Sequence, residues 1–305
     1  MDKERHFPQI LNSFWLKIVA LLTMTIDHIG YMMIDTSTPL EVIQVFRTIG
    51  RLALPLFCFM IAEGAHYTRS FKKYALRLGV MASVVSVIII GSYEIPFFRE
   101  NHLSMKDEGV IFIDLLLGAL SVYFLKQEKW YFKLLAILPL LYGVGSFIAC
   151  EIDYCGCYEE IWWFPYFMRT QYGWYGVLLI IAFFCARYLT TLFIKFASSI
   201  TQIPYDAYED TYFERNTKNI ISALLLVAVT ILFYTICFYT PRKYAFFGSG
   251  SNLDIQLFAV FSGVFILLYN GLRGYNKKWF QYGSYIYYLF HMLVIAIIFY
   301  LISLM

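Results

Sequence analysis

Long apolar stretches alternate with short polar connections along the whole chain. A transmembrane helix needs about 20 consecutive, mainly apolar residues to cross a hydrocarbon core of about 30 Å. The stretches that meet or approach this length are 14–34, 44–66, 74–93, 109–125, 131–150, 173–197, 218–239, 254–272 and 282–304. No connection is long enough to hold a separate soluble domain. The pattern predicts an all-α, polytopic transmembrane bundle of about nine to ten helices, in which residues 1–305 form a single domain.

Composition argues against a soluble globular protein. The chain has 305 residues, of which 60% are hydrophobic and 15% are charged. Soluble domains are typically about 45–50% apolar and about 25% charged. This chain therefore has more apolar surface than a water-soluble fold needs, which supports the membrane interpretation.

Positive charges are concentrated in alternate connections. The basic residues that flank the predicted helices on one side are Lys3, Arg5, Lys17, Arg69, Lys72, Lys73, Arg77, Lys126, Lys129, Lys133, Arg273, Lys277 and Lys278. The intervening connections at 35–41, 94–108 and 151–169 are acidic or poor in lysine and arginine. Cytoplasmic connections carry the excess of lysine and arginine in membrane proteins, so the asymmetry predicts a cytoplasmic N-terminus.

Ionisable residues lie deep inside the first two apolar stretches. Asp27 and His28 belong to the first stretch, and Arg47, Arg51 and Glu63 belong to the second. Charged groups at membrane depth are costly and usually mark a functional site. A protein that only anchored itself in the bilayer would need none of them, and a cleaved signal peptide would be purely apolar at this point.

The rise of about 1.5 Å per residue gives each polar group an approximate depth. In the predicted topology, His28 lies about 20 Å from the inner boundary, and Arg51 and Asp114 lie about 10 Å from the outer boundary. Arg47 and Arg51 are four residues apart and share a helical face. The sequence therefore predicts one polar layer that contains Asp27, His28, Arg47, Arg51 and Asp114.

Glu63 and His291 are expected to form a second polar layer, closer to the cytoplasm. Glu63 lies near the inner end of its stretch, and His291 lies about ten residues into the last stretch. Glu63 could instead pair with Arg69 or Arg77 at the inner boundary.

Three residues of the first layer also have a purely structural interpretation. Asp27 and Arg51 could form an ion pair that only fixes helix packing, and Arg47 could extend its side chain to the outer interface. His28 is harder to explain in this way, because imidazole transfers protons near pH 7 and a neighbouring carboxylate can fix its tautomer. We therefore expect His28 to act in chemistry or to contact a substrate.

The cysteines fall into two groups. Those in apolar stretches, which are expected to be small core residues, are Cys58, Cys185 and Cys237. The others, Cys150, Cys155 and Cys157, cluster at the end of the fifth stretch, where both a disulfide and free thiols fit the sequence. No metal site is expected, because only carboxylates accompany this cluster.

Two runs in the first third of the chain resemble the signatures of a known membrane protein family. The first run is Leu16-Lys17-Ile18 followed by Met24-Thr25-Ile26-Asp27-His28-Ile29-Gly30. The second run is Ile49-Gly50-Arg51-Leu52-Ala53-Leu54-Pro55-Leu56-Phe57, then Glu63-Gly64, His66, Thr68-Arg69, Lys72-Lys73-Tyr74 and Arg77-Leu78. Looser matches follow in order at Ile95-Pro96-Phe97, Leu117-Gly118, Tyr172-Gly173, Gly176, Tyr269-Asn270-Gly271, Gly274 and Tyr287-Tyr288-Leu289-Phe290-His291. These residues make the chain similar to the TraX family, named for the conjugative-plasmid protein that acetylates the N-terminus of F-type pilin.

The chain departs from the family pattern at three positions. Leu289 stands where the family usually has proline, Asp114 where threonine is usual, and Gln171 where an acidic residue is frequent. The residues of the two signatures are kept, so the departures bear on the acceptor rather than on the class of reaction.

The resemblance implies a membrane-bound acyltransferase of the bacterial cytoplasmic membrane. The wider group of polytopic membrane acyltransferases takes acetyl groups from cytoplasmic acetyl-CoA and delivers them to acceptors at or beyond the membrane. The implied acceptor is a pilin amino terminus or a hydroxyl of a cell-surface glycan. Membrane lipids are further expected partners, and nucleic acid is not.

Each candidate residue has an expected role in such a reaction. His28 would act as general base or transient acyl carrier, Asp27 would orient it, and Arg51 would stabilise an oxyanion or hold an acceptor anion. Substrate contacts are expected from Glu63, Arg47, Asp114 and His291. Contacts to the acetyl-CoA phosphates are expected from Lys72, Lys73 and Arg77, with Arg273, Lys277 and Lys278 nearby. The positive-inside rule alone also explains these six basic residues.

Two other classes of function fit the same residues. The chain could be a transporter or flippase for an anionic lipid-linked precursor, with Arg47 and Arg51 as the anion site. It could also be a non-enzymatic factor in conjugation or pilus assembly. Transfer of isotopically labelled acetyl from acetyl-CoA separates the enzyme from both alternatives.

Overall fold

A computed structural model describes residues 8–34, 36–96, 109–155, 161–208, 211–240, 253–275 and 277–303. The helices are α1 (Ser13–Met32), α2 (Leu40–Gly50), α3 (Ala53–Tyr67), α4 (Phe71–Glu94), α5 (Ile111–Leu125), α6 (Trp130–Leu134), α7 (Ile137–Cys155), α8 (Trp174–Thr201), α9 (Tyr212–Phe238), α10 (Ser262–Leu267) and α11 (Lys278–Ser303). Three 3-10 helices span Tyr166–Met168, Tyr205–Ala207 and Leu253–Phe261. These residues contain no β-strand, and the predicted all-α polytopic bundle is confirmed.

Each predicted apolar stretch overlaps at least one of these helices. In the described part of the chain, six helical segments are long and apolar enough to cross a membrane: Leu40–Tyr67, Phe71–Ser92, Trp130–Asp153, Trp174–Thr201, Tyr212–Phe238 and Lys278–Ile302. α1 has 20 residues but is not one of these six segments, and it carries the polar residues Lys17, Asp27 and His28. α5 and the segment Leu253–Leu267 are shorter than the about 20 residues that a spanning helix needs. The chain is thus a multi-pass membrane protein in which polar or short helices lie among the candidate spans.

The second apolar stretch is divided into α2 and α3 by a break at Arg51 and Leu52. Pro55 explains the break, because it has no N–H to donate to the carbonyl of Arg51. At the break, the N–H of Arg51 bonds to the Thr48 carbonyl at 3.2 Å, three residues back rather than four. The chain tightens there, and Arg51 lies at the junction of two helices rather than within one.

α8 forms the centre of the bundle. It packs against α3, α5, α7 and α9, and its buried aromatic residues include Tyr175 and Phe183. Phe183 meets Phe59 of α3 edge-on with ring centroids 5.4 Å apart, and Tyr175 stacks on Phe233 of α9 at 4.4 Å. These contacts fix α3, α8 and α9 relative to one another, and the same helices carry several of the buried charges.

The basic connections meet at one end of the bundle. Lys126 Nζ donates to the carbonyl of His66 at 2.5 Å, which joins the connections after α3 and α5. Leu11 pairs with Tyr269 in an isolated bridge, which brings the segment before α1 to the connection before α11. Residues of both pairs of connections, namely His66, Lys126 and Asn270, line one cavity, so these connections share one end of the bundle, which we call the basic end.

The described cysteines are free thiols. They are Cys58, Cys150, Cys185 and Cys237. Cys58 donates to the carbonyl of Gly176 at 3.6 Å and so belongs to the core. The other members of the predicted cluster, Cys155 and Cys157, lie outside the described side chains.

We predict that residues 67–73 and 126–133 face the cytoplasm and that residues 151–171 face outward, because of the lysine and arginine asymmetry. Single cysteines are introduced as Ser70→Cys and Trp162→Cys in a background without reactive native thiols. A membrane-impermeant maleimide added to intact cells should label position 162 and leave position 70 unlabelled until the cells are lysed. Labelling of position 70 in intact cells would contradict the predicted orientation.

Candidate functional site

A cavity of about 110 Å³ lies among α1, α2, α4 and α11, and we call it the histidine cavity. Its wall includes Asp27 and His28 from α1, Arg47 from α2, Arg51 from the helix break and His291 from α11. The segment before α8 closes another side. The structure thus brings together the three residues predicted to be catalytic and two of those predicted to contact substrate.

Asp27 is held between two arginines. Arg47 Nη1 donates to Asp27 Oδ2 at 2.7 Å, and Arg51 Nη2 donates to Asp27 Oδ1 at 2.5 Å. All three residues are buried, so the alternative in which Arg47 extends to the outer interface is wrong. Arg47 stays inside the bundle because the carboxylate of Asp27, at the same depth, binds its guanidinium. Among the described residues of the wall, the ionic group holds two guanidiniums and one carboxylate, and guanidinium donors favour an anion or a developing oxyanion.

The ionic group depends on a close approach of α1 and α2. A Cβ atom added at Gly50 would overlap the carboxylate of Asp27, and one added at Gly30 would lie 2.7 Å from Phe46 Cβ. The absence of side chains at these two positions lets the carboxylate lie against the backbone of α2. Asp27 can therefore reach both arginines.

His28 contacts His291 through a hydrogen bond between ring nitrogens. His28 Nδ1 lies 2.8 Å from His291 Nε2. On the far side of His291, Nδ1 lies 2.7 Å from the carbonyl oxygen of Tyr288, which can only accept. His291 Nδ1 therefore carries a proton, and in the neutral pair its Nε2 accepts from the Nδ1–H of His28. The other nitrogen of His28, Nε2, then holds a lone pair.

This tautomer defines what the site can do. His28 lines the histidine cavity, and the described residues give its Nε2 no hydrogen-bond partner. An imidazole lone pair at a cavity wall can accept a proton or attack a carbonyl carbon. The contact that orients the imidazole comes from His291 and not, as predicted, from Asp27, because the oxygens of Asp27 are bonded to arginines.

The predicted second layer is wrong for His291. α11 begins at Lys278, earlier than the predicted start at 282. His291 is therefore about 20 Å along α11, and His28 is about 22 Å along α1, which begins at Ser13. Both helices start from the basic end, so the two histidines reach the same depth.

Asp114 supports the cavity wall instead of lining the cavity. It is fully buried, and its oxygens accept from the backbone N–H groups of Gln171 at 2.8 Å and Tyr172 at 3.3 Å. Gln171 and Tyr172 both line the histidine cavity. Asp114 thus reaches the predicted layer, and its observed contacts hold the segment before α8 in place.

Glu63 forms a second ionic group, nearer the basic end. Arg187 Nη2 donates to Glu63 Oε1 at 2.5 Å, and Lys218 Nζ lies 3.3 Å from each carboxylate oxygen. The alternative partners, Arg69 and Arg77, are therefore wrong. The observed partners come from α8 and α9, which are distant from Glu63 in the sequence and close to it in the packed bundle.

Sequence reasoning overlooked Arg187 and Lys218. Arg187 lies inside the predicted stretch 173–197, and Lys218 is the first residue of the stretch 218–239. The signal that singled out Asp27 and His28, an ionisable residue at membrane depth, applies to Arg187 as well, whereas the position of Lys218 gives no such signal.

The predicted contacts to acetyl-CoA phosphates lie outside the histidine cavity. Lys72 and Lys73 are exposed at the start of α4. The guanidinium of Arg77 lies over the ring of Tyr74, 5.8 Å from its centroid. None of these three basic residues lines the cavity, so their role in binding stays a prediction.

Comparison with known proteins identifies the family. The sequence model described as "TraX protein" matches residues 13–186, more than half of the chain. The chain belongs to the TraX family. The matched range contains the parts of the histidine cavity that come from α1, α2 and α4, and it ends before His291.

Two curated relatives resemble this TraX-family chain. The "Probable fimbrial assembly protein FimC, serogroup H1" of Dichelobacter nodosus is 34% identical over 99 residues, which are 30% of this chain and 39% of the relative. An uncharacterized protein of Rickettsia prowazekii (strain Madrid E) is 25% identical over 176 residues, which are 58% of this chain and 56% of the relative. The chain thus matches between 39% and 56% of the length of these relatives. No solved structure matches it significantly.

The three positions at which the sequence is expected to depart from the family pattern are all associated with the histidine cavity. Gln171 and Leu289 line the histidine cavity, and Asp114 binds the backbone of Gln171. All three residues therefore form or support the wall of the cavity that also contains His28 and Arg51.

Proposed function

We propose that this TraX-family protein is an integral-membrane acyltransferase that moves an acetyl group from acetyl-CoA to an acceptor at the cell surface. The observation that carries the proposal is the pairing of His28 with His291, which leaves a ring nitrogen with a lone pair at the wall of a cavity. Two arginines that share one carboxylate lie in the same wall. Acyl transfer needs a base beside a group that stabilises negative charge, and this arrangement supplies both.

In the proposed reaction, His28 Nε2 accepts the proton of the acceptor. The acceptor is a neutral amine or a hydroxyl, and its nitrogen or oxygen forms a bond to the thioester carbonyl carbon while the carbonyl electron pair moves to oxygen. The intermediate then collapses, the carbon–sulfur bond breaks, and the thiol of coenzyme A leaves with the proton from His28. The imidazole returns to its starting state, and His291 fixes its tautomer before and after the step.

The arginines are proposed to stabilise the negative charge that develops on the carbonyl oxygen. Both guanidiniums bind the same carboxylate of Asp27 and lie in the cavity wall. Arg51 Nε also donates to the carbonyl of Arg47 at 3.1 Å, so its donors are fixed before any substrate binds. Removal of one preorganised donor from an oxyanion site typically costs about 10² to 10³-fold in rate.

We propose a pilin amino terminus as the acceptor, with a glycan hydroxyl as the alternative. The name of the Dichelobacter nodosus relative, a probable fimbrial assembly protein, supports a pilus-related acceptor. The part of the wall formed by Gln171 and Leu289 is proposed to contact the acceptor. The resemblance to the family implies a departure at these two positions, whereas His28 and Arg51 belong to the two signatures that carry the resemblance.

The proposed location is the bacterial cytoplasmic membrane, with the N-terminus and the basic end in the cytoplasm. Acetyl-CoA would enter from that end. The histidine cavity, about 22 Å along α1, would then lie in the outer half of the membrane, where an acceptor at the cell surface can reach it.

A non-enzymatic role in pilus assembly is the second candidate, and the same relative's name favours it. Membrane vesicles that contain the protein, labelled acetyl-CoA and candidate acceptors separate the two functions. If the protein is an acyltransferase, the label should appear in the acceptor. Alkaline hydroxylamine should leave the label in place when the acetyl group is bound to pilin as an amide, and should release it when the acetyl group is bound to a glycan as an ester. Acceptors without label, together with a pilus defect in cells that lack the protein, would favour the assembly factor.

A further inference from the structure

A second and larger cavity, of about 560 Å³, opens at the basic end of the bundle. The ends of α3 and α5, the middle of α8, the start of α9 and the loop 270–272 form its wall, and we call it the basic cavity. Ligand pockets for small molecules typically measure about 300–1,000 Å³. The basic cavity is therefore large enough to hold an organic ligand.

The wall of the basic cavity carries a surplus of positive charge. Its cations are Lys126, Arg187, Arg215 and Lys218. The carboxylates that accompany them are Glu214, in the wall, and Glu63, which binds Arg187 and Lys218. Among the described residues, four cations and two carboxylates give a formal charge of +2, which suits a ligand with at least two negative charges.

The positive-inside rule does not account for all of these cations. Lys126 lies in a connection, where that rule expects a lysine. Arg187 and Lys218 instead lie within the candidate spans Trp174–Thr201 and Tyr212–Phe238. Ionisable residues inside a span usually mark a binding or transport site. Arg187 and Lys218 are therefore candidates for ligand binding.

Aromatic and backbone groups complete the wall. Tyr67 and Tyr188 are both about half exposed and line the cavity. Arg187 lies over the Tyr67 ring, 4.7 Å from its centroid, and donates to its hydroxyl at 3.2 Å. The loop passes through Gly271 at φ 77°, a conformation that L side chains rarely adopt, and so brings its backbone close to Arg215.

We propose that the basic cavity binds a soluble ligand that combines two or more phosphate groups with an aromatic ring system, as a nucleotide does. Arginine and lysine would bind the phosphates, and the exposed tyrosine rings would stack on the base. In acetyl transfer, the ligand would be the nucleotide end of acetyl-CoA, and this identification rests on the proposed function. The phosphate site proposed here is then the basic cavity. The residues predicted from the sequence for this role, Lys72, Lys73 and Arg77, do not line that cavity.

The proposal is tested by binding to the purified full-length protein in nanodiscs of zwitterionic lipid. The probe is adenosine 3′,5′-bisphosphate, and binding is measured by calorimetry and by the shift of the unfolding temperature. Wild-type protein should bind the probe saturably, and more weakly as salt rises. Arg215→Gln and Lys126→Gln should each weaken binding by about tenfold, the effect of one lost charge-assisted contact. Lys129→Gln, the same change in the same connection and outside the cavity wall, should bind like wild type.

Several results would overturn the proposal. The first is the absence of saturable probe binding to wild-type protein, and the second is equal weakening of binding by Lys126→Gln and Lys129→Gln. The third is loss of probe binding in nanodiscs that contain anionic lipid, which would identify a lipid headgroup as the occupant of the cavity. The substitutions leave the Glu63 ion pairs intact, but Lys126→Gln removes the contact of Nζ with the His66 carbonyl. The unfolding temperature of each variant without probe is therefore measured first, and only variants that match wild type are compared for binding. His28→Ala protein should still bind the probe, so a failure of acetyl transfer and a failure of this site can be told apart.

Discussion

Replacement of His28 with alanine is expected to abolish acetyl transfer while the protein stays folded and inserted. General acid–base contributions are typically about 10² to 10⁴-fold, so the loss should be close to complete in a cellular assay. The folded state should survive because, among the described residues, His28 makes one side-chain hydrogen bond, to His291, and belongs to none of the buried ion pairs. The measurement is the initial rate of label transfer, normalised to the amount of monodisperse protein.

His291 provides the matched control for this prediction. His291→Gln keeps an oxygen that can accept from His28 Nδ1–H, whereas His291→Leu removes the acceptor. If His291 positions the imidazole, the glutamine variant should retain more activity than the leucine variant, and the leucine variant should alter the pH dependence of the rate. Equal activity of the two variants would contradict the positioning role, and full activity of His28→Ala would contradict the mechanism.

Loss of the Asp27 carboxylate should mainly destabilise the folded protein. In Asp27→Asn, the buried guanidiniums of Arg47 and Arg51 lose the carboxylate that both of them bind. Removal of one partner from a buried ion pair typically costs about 3–5 kcal/mol, so we expect a lower unfolding temperature and a lower yield in membranes. Glu41→Gln, the same chemical change at an exposed position in α2, should change stability by less than about 0.5 kcal/mol.

A double variant separates stability from chemistry at this group. Adding Arg47→Gln to Asp27→Asn removes one of the two guanidinium charges that Asp27 binds and should recover part of the lost stability. If Asp27→Asn instead unfolds at the wild-type temperature and loses only activity, the carboxylate takes part in the reaction and the structural account of Asp27 fails.

The helices and the polar layer could be predicted from local pattern and simple geometry. Apolar length predicted the helices, and the helical rise brought His28 and Arg51 to one depth. The break at Arg51 also has a local signal in Pro55, which the apolar pattern of the stretch concealed. Helix starts are harder to locate, and an error of four residues at the start of α11 moved His291 by about 6 Å into the wrong layer.

Partners between helices could not be predicted in this way. The choice of Arg187 and Lys218 for Glu63, rather than the nearer Arg69, depends on how α3, α8 and α9 pack. The tautomer of His28 depends on a carbonyl of α11, and the contacts of Asp114 depend on the path of the segment before α8. Such contacts join residues that are far apart in the sequence, and a single sequence holds no signal for them.

The measurement that tests the central claim most directly is acetyl transfer by purified protein in proteoliposomes. Wild-type and His28→Ala proteins are compared at equal density with labelled acetyl-CoA on one side and a pilin or glycan acceptor present. We predict that label reaches the acceptor, and free coenzyme A thiol is released in equal amount, only with wild-type protein. Absence of transfer by wild-type protein that is folded and correctly oriented, or equal transfer by both proteins, would contradict the proposed acyltransferase.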